Sequence, residues 1–231
     1  MILNYFLVIE IIFILLYDIY TMIKIYTKTG DKGETDTLGG KRISKSCLEM
    51  DAIGEVDELN AELGILVAEL SDDKSVIPAK AGILKREQDP CFRRDDKKEW
   101  GNDVVGSLVA VQHNLFIIGS NLAGLQTDLE NISKLENSQV LKLEKLIDEM
   151  ENVLPELKNF ILPGGDIAAA QSYLARAVCR RAERCLIGLS QEYEIDDVLK
   201  QYLNRLSDYL FVLARWINFK SGTEEVKWGK K

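Results

Sequence analysis

Apolar residues recur at intervals of three and four along five segments of the sequence, and this periodicity is the strongest constraint on its fold. The clearest example is the last segment, 196–219, whose apolar stripe consists of Leu199, Leu203, Leu206, Leu210, Leu213 and Ile217. Such spacing places side chains on one face of an α-helix, which must then be buried against other helices. Five such segments, with short final connections, predict an all-α protein folded as an up-and-down five-helix bundle.

The other four predicted helices cover residues 48–70, 104–125, 138–154 and 166–189. A turn at Pro163-Gly164-Gly165 precedes the fourth, and Asp166 is in position to cap it. Residues expected on its core side are Ile167, Ala170, Leu174, Ala177, Val178 and Cys185, with Arg176, Arg180 and Glu183 on the opposite side. Arg181 falls among the core residues, so we expect it to have a partner or to reach out of the bundle.

Residues 1–22 form a strongly apolar N-terminal extension, for which we consider three interpretations. A signal peptide is disfavoured because neither a basic start nor a small-residue cleavage site is present. A membrane tether would be long enough, but Glu10 and Asp18 would be costly in lipid. We favour the third interpretation, an over-extended start with Met22 as the true first residue.

The remaining sequence is predicted to form one helical-bundle domain, 23–220, followed by a polar tail, 221–231. Residues 71–103 interrupt the helical pattern with Asp, Pro, Gly and mixed charge. A structureless segment of this length is unusual inside a compact domain. We therefore interpret 71–103 as a loop insertion and expect no function there.

Charge and residue usage exclude several classes of function. The chain carries a net charge of -8, whereas a nucleic-acid-binding protein usually presents a broad basic surface, so nucleic acid is not an expected partner. Its four cysteines form no Cys-x-x-Cys pair, which argues against a zinc or redox motif and favours free thiols in the cytoplasm. The single histidine, His113, argues against a Ser-His-Asp centre or a multi-histidine metal site.

Four arginines lie within nine residues of the fourth helix: Arg176, Arg180, Arg181 and Arg184. A solvated helix face carrying ion pairs at i, i+4 would explain them without any ligand. Their concentration in an otherwise acidic chain favours a phosphate site instead, because the guanidinium group donates hydrogen bonds in a fixed fork and stays charged. This helix alone supports the two interpretations about equally.

A loop over residues 27–40 is the second candidate element. Its glycines (Gly30, Gly33, Gly39 and Gly40) allow backbone N–H groups to turn toward one point, and it is rich in hydroxyls (Thr29, Thr35, Thr37) and in nearby lysines (Lys28, Lys32, Lys41, Lys45). Asp31, Glu34 and Asp36 are candidates to hold hydrated Mg²⁺ beside a polyphosphate. The loop matches neither a P-loop nor a G-x-G-x-x-G motif, so by itself it is weak evidence for a nucleotide.

Five motifs occur in one order along the chain: IYTKTGDKGET, GEVDELNAELG, FILPGG, RAVCRRAER and NRLSDYLFVLAR. Together they resemble the PduO-type ATP:cob(I)alamin adenosyltransferases, over residues 23–70 and 104–220. The resemblance implies a five-helix bundle of ferritin-like or cobalamin adenosyltransferase-like form, assembled as a homotrimer with active sites between subunits. It also implies transfer of the 5′-deoxyadenosyl group from Mg-ATP to cob(I)alamin, with release of triphosphate.

The resemblance assigns roles to the residues that match its motifs. The loop residues Thr27, Lys28, Thr29, Gly30, Asp31, Gly33 and Thr35, with Lys45, are implied to fold over the triphosphate, and Arg181, Glu183, Arg184 and Asn204 to help form the nucleotide pocket. Arg180 is expected to neutralise charge on the leaving triphosphate, and Phe160 to lie against the lower face of the corrin. Arg180, Asn204 and Phe160 are thus the expected catalytic residues, and Asp57 and Arg176 are implied to pair across the subunit interface.

The implied chemistry suits a chain with few reactive side chains, because cobalt(I) is itself a strong nucleophile. The protein has to align the 5′-carbon and stabilise the leaving charge. Expected partners are ATP with its Mg²⁺, a reduced corrinoid, a corrinoid reductase and an adenosylcobalamin-dependent acceptor enzyme. The alternative is a non-catalytic helical bundle that binds ATP or a corrinoid as a sensor or delivery chaperone.

Overall fold

The computed structural model describes residues 25–71, 99–125, 127 and 132–229, with no account of the side chains of 99–102. These residues form a two-stranded hairpin and five helices: β1 (Glu34–Asp36), β2 (Arg42–Ser44), α1 (Leu48–Leu70), α2 (Glu99–Ala123), α3 (Asn137–Glu151), α4 (Ile167–Leu189) and α5 (Asp197–Ser221). The predicted all-α five-helix bundle is therefore confirmed. The extension 1–22 and most of the insertion lie outside the described residues, but residues 99–103 of the insertion begin α2.

Local sequence signals set the starts of α4 and α5 where they were predicted, whereas α2 begins at Glu99 instead of residue 104 and α3 ends at Glu151 instead of residue 154. The side chain of Asp166 accepts a hydrogen bond of 2.9 Å from the Ala168 N–H at the start of α4, and Asp196 accepts one of 3.0 Å from Val198 at the start of α5. Each carboxylate satisfies an N–H group that has no partner within its helix. Gly222, in the left-handed conformation with φ 70°, ends α5.

The core lies between α1, α4 and α5. Helix α4 packs against both α1 and α5, while α2 packs against α1 and α3 against α5. All six residues of the predicted stripe on α5 are buried, together with Tyr202 and Tyr209. Within α2, Asp103–Ala123 is by length and composition alone apolar enough to cross a membrane, but its Leu108, Leu115 and Ile118 are buried in the bundle.

Helix α4 has its core face on a different side from the predicted one. The buried residues are Ala168, Ala169, Ser172, Tyr173, Ala175, Val178, Cys179, Ala182, Leu186 and Leu189. Of the residues predicted to face the core, Ile167 is 71% and Leu174 49% exposed, Ala170 and Ala177 are exposed as well, and only Val178 is buried. The prediction was wrong because α4 is apolar on two sides, and periodicity alone does not distinguish them.

The glycines of the Pro163-Gly164-Gly165 turn let it dock onto the end of α5. The buried side chain of Asn218 accepts a hydrogen bond of 2.9 Å from the Asp166 N–H and donates one of 3.0 Å to the Gly164 carbonyl. Gly165 has φ 105°, and a Cβ there would lie 2.2 Å from Asn218 Oδ1. The turn therefore needs glycine for its backbone angle and for the close approach of Asn218.

Replacing Gly165 with alanine is expected to lower the free energy of unfolding by about 1–3 kcal/mol, because the new Cβ is strained at this φ and displaces Asn218. Urea denaturation of the two proteins measures the difference. Gly188→Ala is the control, since a Cβ at this helical position meets nothing within 4 Å. Equal stability of Gly165→Ala and the unmodified protein would contradict the prediction.

Candidate active site

The glycine loop contains a short hairpin that sequence analysis did not predict. Strands β1 and β2 pair antiparallel, with Thr35 opposite Ile43. The turn before β1 is closed by a hydrogen bond from the Gly33 N–H to the Gly30 carbonyl. Gly33 and Gly40 have φ values of 83° and 75°, so glycine is required by the backbone at both bends. The loop is thus a folded element and not an open chain.

Arg42 stabilises this hairpin by binding three of its neighbouring residues, and sequence analysis did not identify it. Its guanidinium group pairs with Glu34 and Asp36 at 3.3 Å each, and its Nη2 donates a 2.8 Å hydrogen bond to the Thr29 carbonyl. Two of the three carboxylates that were candidates for Mg²⁺ are therefore engaged by an arginine, while Asp31 is exposed. Among the described residues, no group of three Asp, Glu, His or Cys side chains is arranged to hold a metal ion.

Lys45 lies against the loop at the position of Gly30. A Cβ on Gly30 would be 2.9 Å from Lys45 Nζ, and the Lys45 N–H donates a 2.9 Å hydrogen bond to the Gly33 carbonyl. The absence of a side chain at Gly30 therefore leaves room for the ammonium group beside the turn. Of the predicted loop residues, the structure places Gly30 and Gly33 against Lys45.

The arginines of α4 differ in their surroundings. Arg180 and Arg184 are exposed, and Arg184 Nη1 donates a hydrogen bond of 2.9 Å to the Arg180 carbonyl. Arg181 reaches across to α1, where it pairs with Glu55 and Glu58. The expectation that Arg181 has a partner is thus confirmed.

The two carboxylates of α1, Glu55 and Glu58, shift the pKa of Arg181. Hydrogen bonds to Glu58 and then Glu55 raise the pKa of its guanidinium group. Arg181 therefore joins α1 to α4, whereas Arg180 and Arg184 remain exposed on α4.

Two further predicted site residues meet between α4 and α5. Asn204 Nδ2 donates a hydrogen bond of 2.9 Å to Glu183 Oε1, and both residues border the solvent. One turn before Arg180, the guanidinium group of Arg176 lies 5.3 Å from the centre of the Phe211 ring. Asp57, its predicted partner in another subunit, is exposed on α1.

Phe160 is 80% exposed, although phenylalanine is among the residues most often buried in folded proteins. The rings of Phe160 and Trp228 form a T-shaped pair, with a centroid distance of 6.4 Å and an interplanar angle of 82°. The backbone of the two segments is paired too, with hydrogen bonds of 2.7 Å from the Trp228 N–H to the Phe160 carbonyl and 2.8 Å from the Leu162 N–H to the Val226 carbonyl. The C-terminal segment, predicted as a polar tail, thus packs against the segment that carries Phe160.

The three thiols within the described residues give no sign of nucleophilic chemistry. Cys47, Cys179 and Cys185 are free, and burial raises the pKa of each of them. Thiols that stay protonated at neutral pH are poor nucleophiles. The described part of the chain therefore offers arginines, hydroxyls and backbone N–H groups for its chemistry, and these groups bind and stabilise anions.

The chain is a helical bundle that exposes Arg180 and Arg184 on α4 and carries, in another part of the chain, a glycine loop flanked by Lys45; both are groups suited to binding anions. The particular family follows from comparison with known proteins. The sequence pattern of the family described as Cobalamin adenosyltransferase matches residues 25–217, which is most of the chain. The chain belongs to this family.

Individual relatives are similar over nearly the same range. The corrinoid adenosyltransferase of Bacillus subtilis is 39% identical over 205 residues, which are 89% of this chain and 92% of that protein. The human corrinoid adenosyltransferase is 35% identical over 206 residues, which cover 87% of this chain and 72% of that protein. A variant of the PduO-type ATP:corrinoid adenosyltransferase from Lactobacillus reuteri, solved with cobalamin and ATP, superposes with a TM-score of 0.73 at 31% identity, covering 90% of this chain and all of that one.

Proposed function

We propose that this chain transfers the 5′-deoxyadenosyl group of ATP to cob(I)alamin, giving adenosylcobalamin and triphosphate. The observation that carries the proposal is the family match over residues 25–217, on a fold that leaves Arg180 and Arg184 exposed. In the reaction, the electron pair of cobalt(I) forms a bond to the 5′-carbon. The bond from that carbon to oxygen breaks, and its electron pair leaves on the triphosphate.

The exposed arginines supply the electrostatic part of this reaction. As the carbon–oxygen bond breaks, negative charge grows on the triphosphate oxygen, and a guanidinium group already in position stabilises that charge more in the transition state than in bound ATP. Arg180 has this role, with Arg184 beside it. The hydrogen-bonded pair of Asn204 and Glu183 forms a further wall of the nucleotide pocket.

The glycine loop closes over the phosphates. The loop carries Lys28, Thr29 and Thr35, and the ammonium group of Lys45 lies against its Gly30. Backbone N–H groups in such turns bind anions well. Magnesium enters bound to the phosphates of ATP, since Arg42 engages Glu34 and Asp36 and phosphate oxygens are preferred Mg²⁺ ligands.

We propose that three copies of the chain assemble, with each active site between two of them. The support is an apolar row along the outside of α4, consisting of Ile167, Ala170, Leu174 and Ala177. A contiguous exposed apolar surface marks an interaction site. The row continues toward Arg181 with helical spacing, so the arginines lie at the edge of the proposed interface, where a loop from a neighbouring copy would reach them.

Asp57→Ala is expected to weaken the assembly and lower activity about 10-fold or more, because the charge of Arg176 would lose its partner in the interface. Size-exclusion chromatography with light scattering measures the first effect, and initial rates measure the second. Asp197→Ala, which removes an exposed carboxylate on α5, is the control. A normal assembly with normal kinetics in Asp57→Ala would exclude the pairing.

The decisive test of the function is an adenosylation assay on a chain beginning at Met22. ATP, Mg²⁺ and chemically reduced cobalamin are mixed with the protein, and formation of a light-sensitive cobalt–carbon bond is followed by its absorption spectrum. Nucleotide binding without this product would favour the alternative, a non-catalytic sensor or delivery chaperone. A soluble and fully active protein would also remove the support for a membrane tether.

The reaction requires a source of electrons to reduce cobalt and an enzyme that binds the adenosylcobalamin product. We propose a corrinoid reductase and an adenosylcobalamin-dependent acceptor enzyme as partners. The cytoplasm is the proposed location, since Cys47, Cys179 and Cys185 are free thiols and reducing compartments keep thiols in this form.

A further inference from the structure

Arg215 of α5 is buried, although arginine side chains are usually exposed. Its side chain is 5% exposed. Its Nε donates a hydrogen bond of 3.2 Å to Glu225 Oε1, and its Nη2 donates one of 2.9 Å to the Pro155 carbonyl. A buried guanidinium group is tolerated only when its charge and N–H groups find partners, so both bonds are needed.

The two partners of Arg215 belong to the two segments that meet at Phe160. Pro155 lies in the connection from α3 to α4, and Glu225 lies in the C-terminal segment. Further along, the same segments pair through Ile161 and Lys227 as an antiparallel bridge. Together with Arg215 they line one cavity. Arg215 therefore holds Pro155, shortly after α3, and Glu225, shortly after α5. Phe160 and Trp228 lie further along the same two segments.

Only arginine suits this position. One planar guanidinium group reaches a carboxylate with Nε and a carbonyl oxygen with Nη2, whereas the ammonium group of lysine is a single point on a flexible stem. The Tyr173 hydroxyl is buried nearby without a hydrogen-bond partner among the described residues. Burial, and then the negative charge of Glu225, raise the pKa of Tyr173 to about 12. Tyr173 thus adjoins the ion pair without joining it.

We propose that Arg215 is a positioning residue for corrinoid activation: by holding Pro155 and Glu225 it sets the position of the Phe160 ring against the corrin. The proposal rests on the proposed function. Phe160 acts before the transfer, when its ring replaces the lower axial ligand of cob(II)alamin and so makes the metal easier to reduce. One electron from an external donor then converts cobalt(II) to cobalt(I).

Because Phe160 acts before the transfer, a positioning role of Arg215 can be distinguished experimentally from a role in fold stability alone. Cob(I)alamin has no lower axial ligand to displace, so its attack on ATP does not depend on Phe160 in the same way. A misplaced Phe160 therefore slows adenosylation that starts from cob(II)alamin and a weak reductant. It leaves adenosylation of fully pre-reduced cob(I)alamin nearly intact.

The test compares Arg215→Lys and Glu225→Gln with the unmodified protein in these two assays. With reduced flavin and cob(II)alamin we expect the rate to fall about 10-fold or more, as for small misplacements of reacting groups. With pre-reduced cob(I)alamin we expect a change below about 2-fold by the same argument. Electron paramagnetic resonance of cob(II)alamin with ATP should show a smaller fraction without the lower nitrogen ligand. Tyr173→Phe is the matched control and should behave as the unmodified protein in all three measurements.

Two results would overturn the proposal. An equal loss in both assays would mean that Arg215 only stabilises the fold, and unchanged rates with an unchanged spectrum would mean that its bonds do not position Phe160. If Arg215→Lys does not fold, Glu225→Gln decides, because it keeps the shape of the side chain and removes its charge. An unmodified protein that fails with pre-reduced cob(I)alamin would contradict the proposed function itself, which is a different outcome from either.

Discussion

Replacing Arg180 with alanine is expected to lower turnover by about 100-fold or more, the usual loss when one pre-organised stabiliser of transition-state charge is removed. Arg180 is exposed on α4, so its removal creates no cavity and leaves the fold intact. The growing charge on triphosphate would then be stabilised by Arg184 and the loop lysines alone. Initial rates with pre-reduced cob(I)alamin and saturating ATP measure the effect.

How the loss in Arg180→Ala divides between kcat and KM tests the role of Arg180 as well as the size of its effect. A group that acts only in the transition state changes kcat and kcat/KM together, whereas a group that binds ATP uniformly raises KM. We expect the first pattern for Arg180. Lys145→Ala, which removes an exposed positive charge paired with Glu149 on α3, should leave both constants unchanged. Near-normal turnover in Arg180→Ala would remove this residue from the mechanism.

Replacing Phe160 with alanine is expected to reduce adenosylation from cob(II)alamin and reduced flavin by about 100-fold, since a misplaced or missing positioning group can cost this much. The ring is exposed and touches Trp228 by its edge, so little fold stability depends on it. Without an apolar surface under the corrin, the lower ligand stays bound and cobalt(II) resists reduction. Spectra recorded during turnover measure the accumulation of product.

Leu141→Ala is the control for Phe160→Ala, because Leu141 is also an exposed apolar residue but lies on α3. Circular dichroism of both variants should match the unmodified protein. Full activity of Phe160→Ala in the flavin assay would show that another group displaces the lower ligand. Loss of helical signal in Phe160→Ala would instead show that Phe160 is needed for the stability of the fold.

The fold was predictable where one helix face alone is apolar. Helix α5 has a single leucine stripe, and every member of it is buried. The cap at Asp166 was equally visible, because a capping carboxylate acts on an N–H group two residues away. Signals of this kind depend on neighbours in the sequence, and a single sequence contains them in full.

The buried face of α4 was not predictable in this way. Its sequence has one row of small and apolar residues around Ala168, Ala175 and Ala182 and a second around Ile167 and Leu174. The same hydrophobic effect drives burial of both, whether against α1 and α5 or against another chain. Only the three-dimensional partners decide which row lies in the core of one chain.

The motifs supplied the predicted site residues, but not the residues that hold the surrounding segments in place. The bonds of Arg42 within the hairpin, of Arg181 with α1 and of Arg215 with Glu225 all depend on how the chain returns on itself. A run of charged residues in the sequence does not show which residues will form ion pairs with it. The C-terminal segment was taken for a tail because it is short and polar, and its pairing with residues 160–162 is formed by backbone groups that no side-chain pattern reports.

That pairing makes the protein sensitive to loss of residues 226–228 and to sequence inserted close to them. A stop codon that removes residues 226–231 would leave every helix encoded, and the shortened product would retain the helical signal by which folding is commonly judged. It would still lack the segment that pairs with residues 160–162 and Trp228, the partner of the Phe160 ring. Fusions and affinity tags for this protein are therefore better placed before residue 25 than after residue 229.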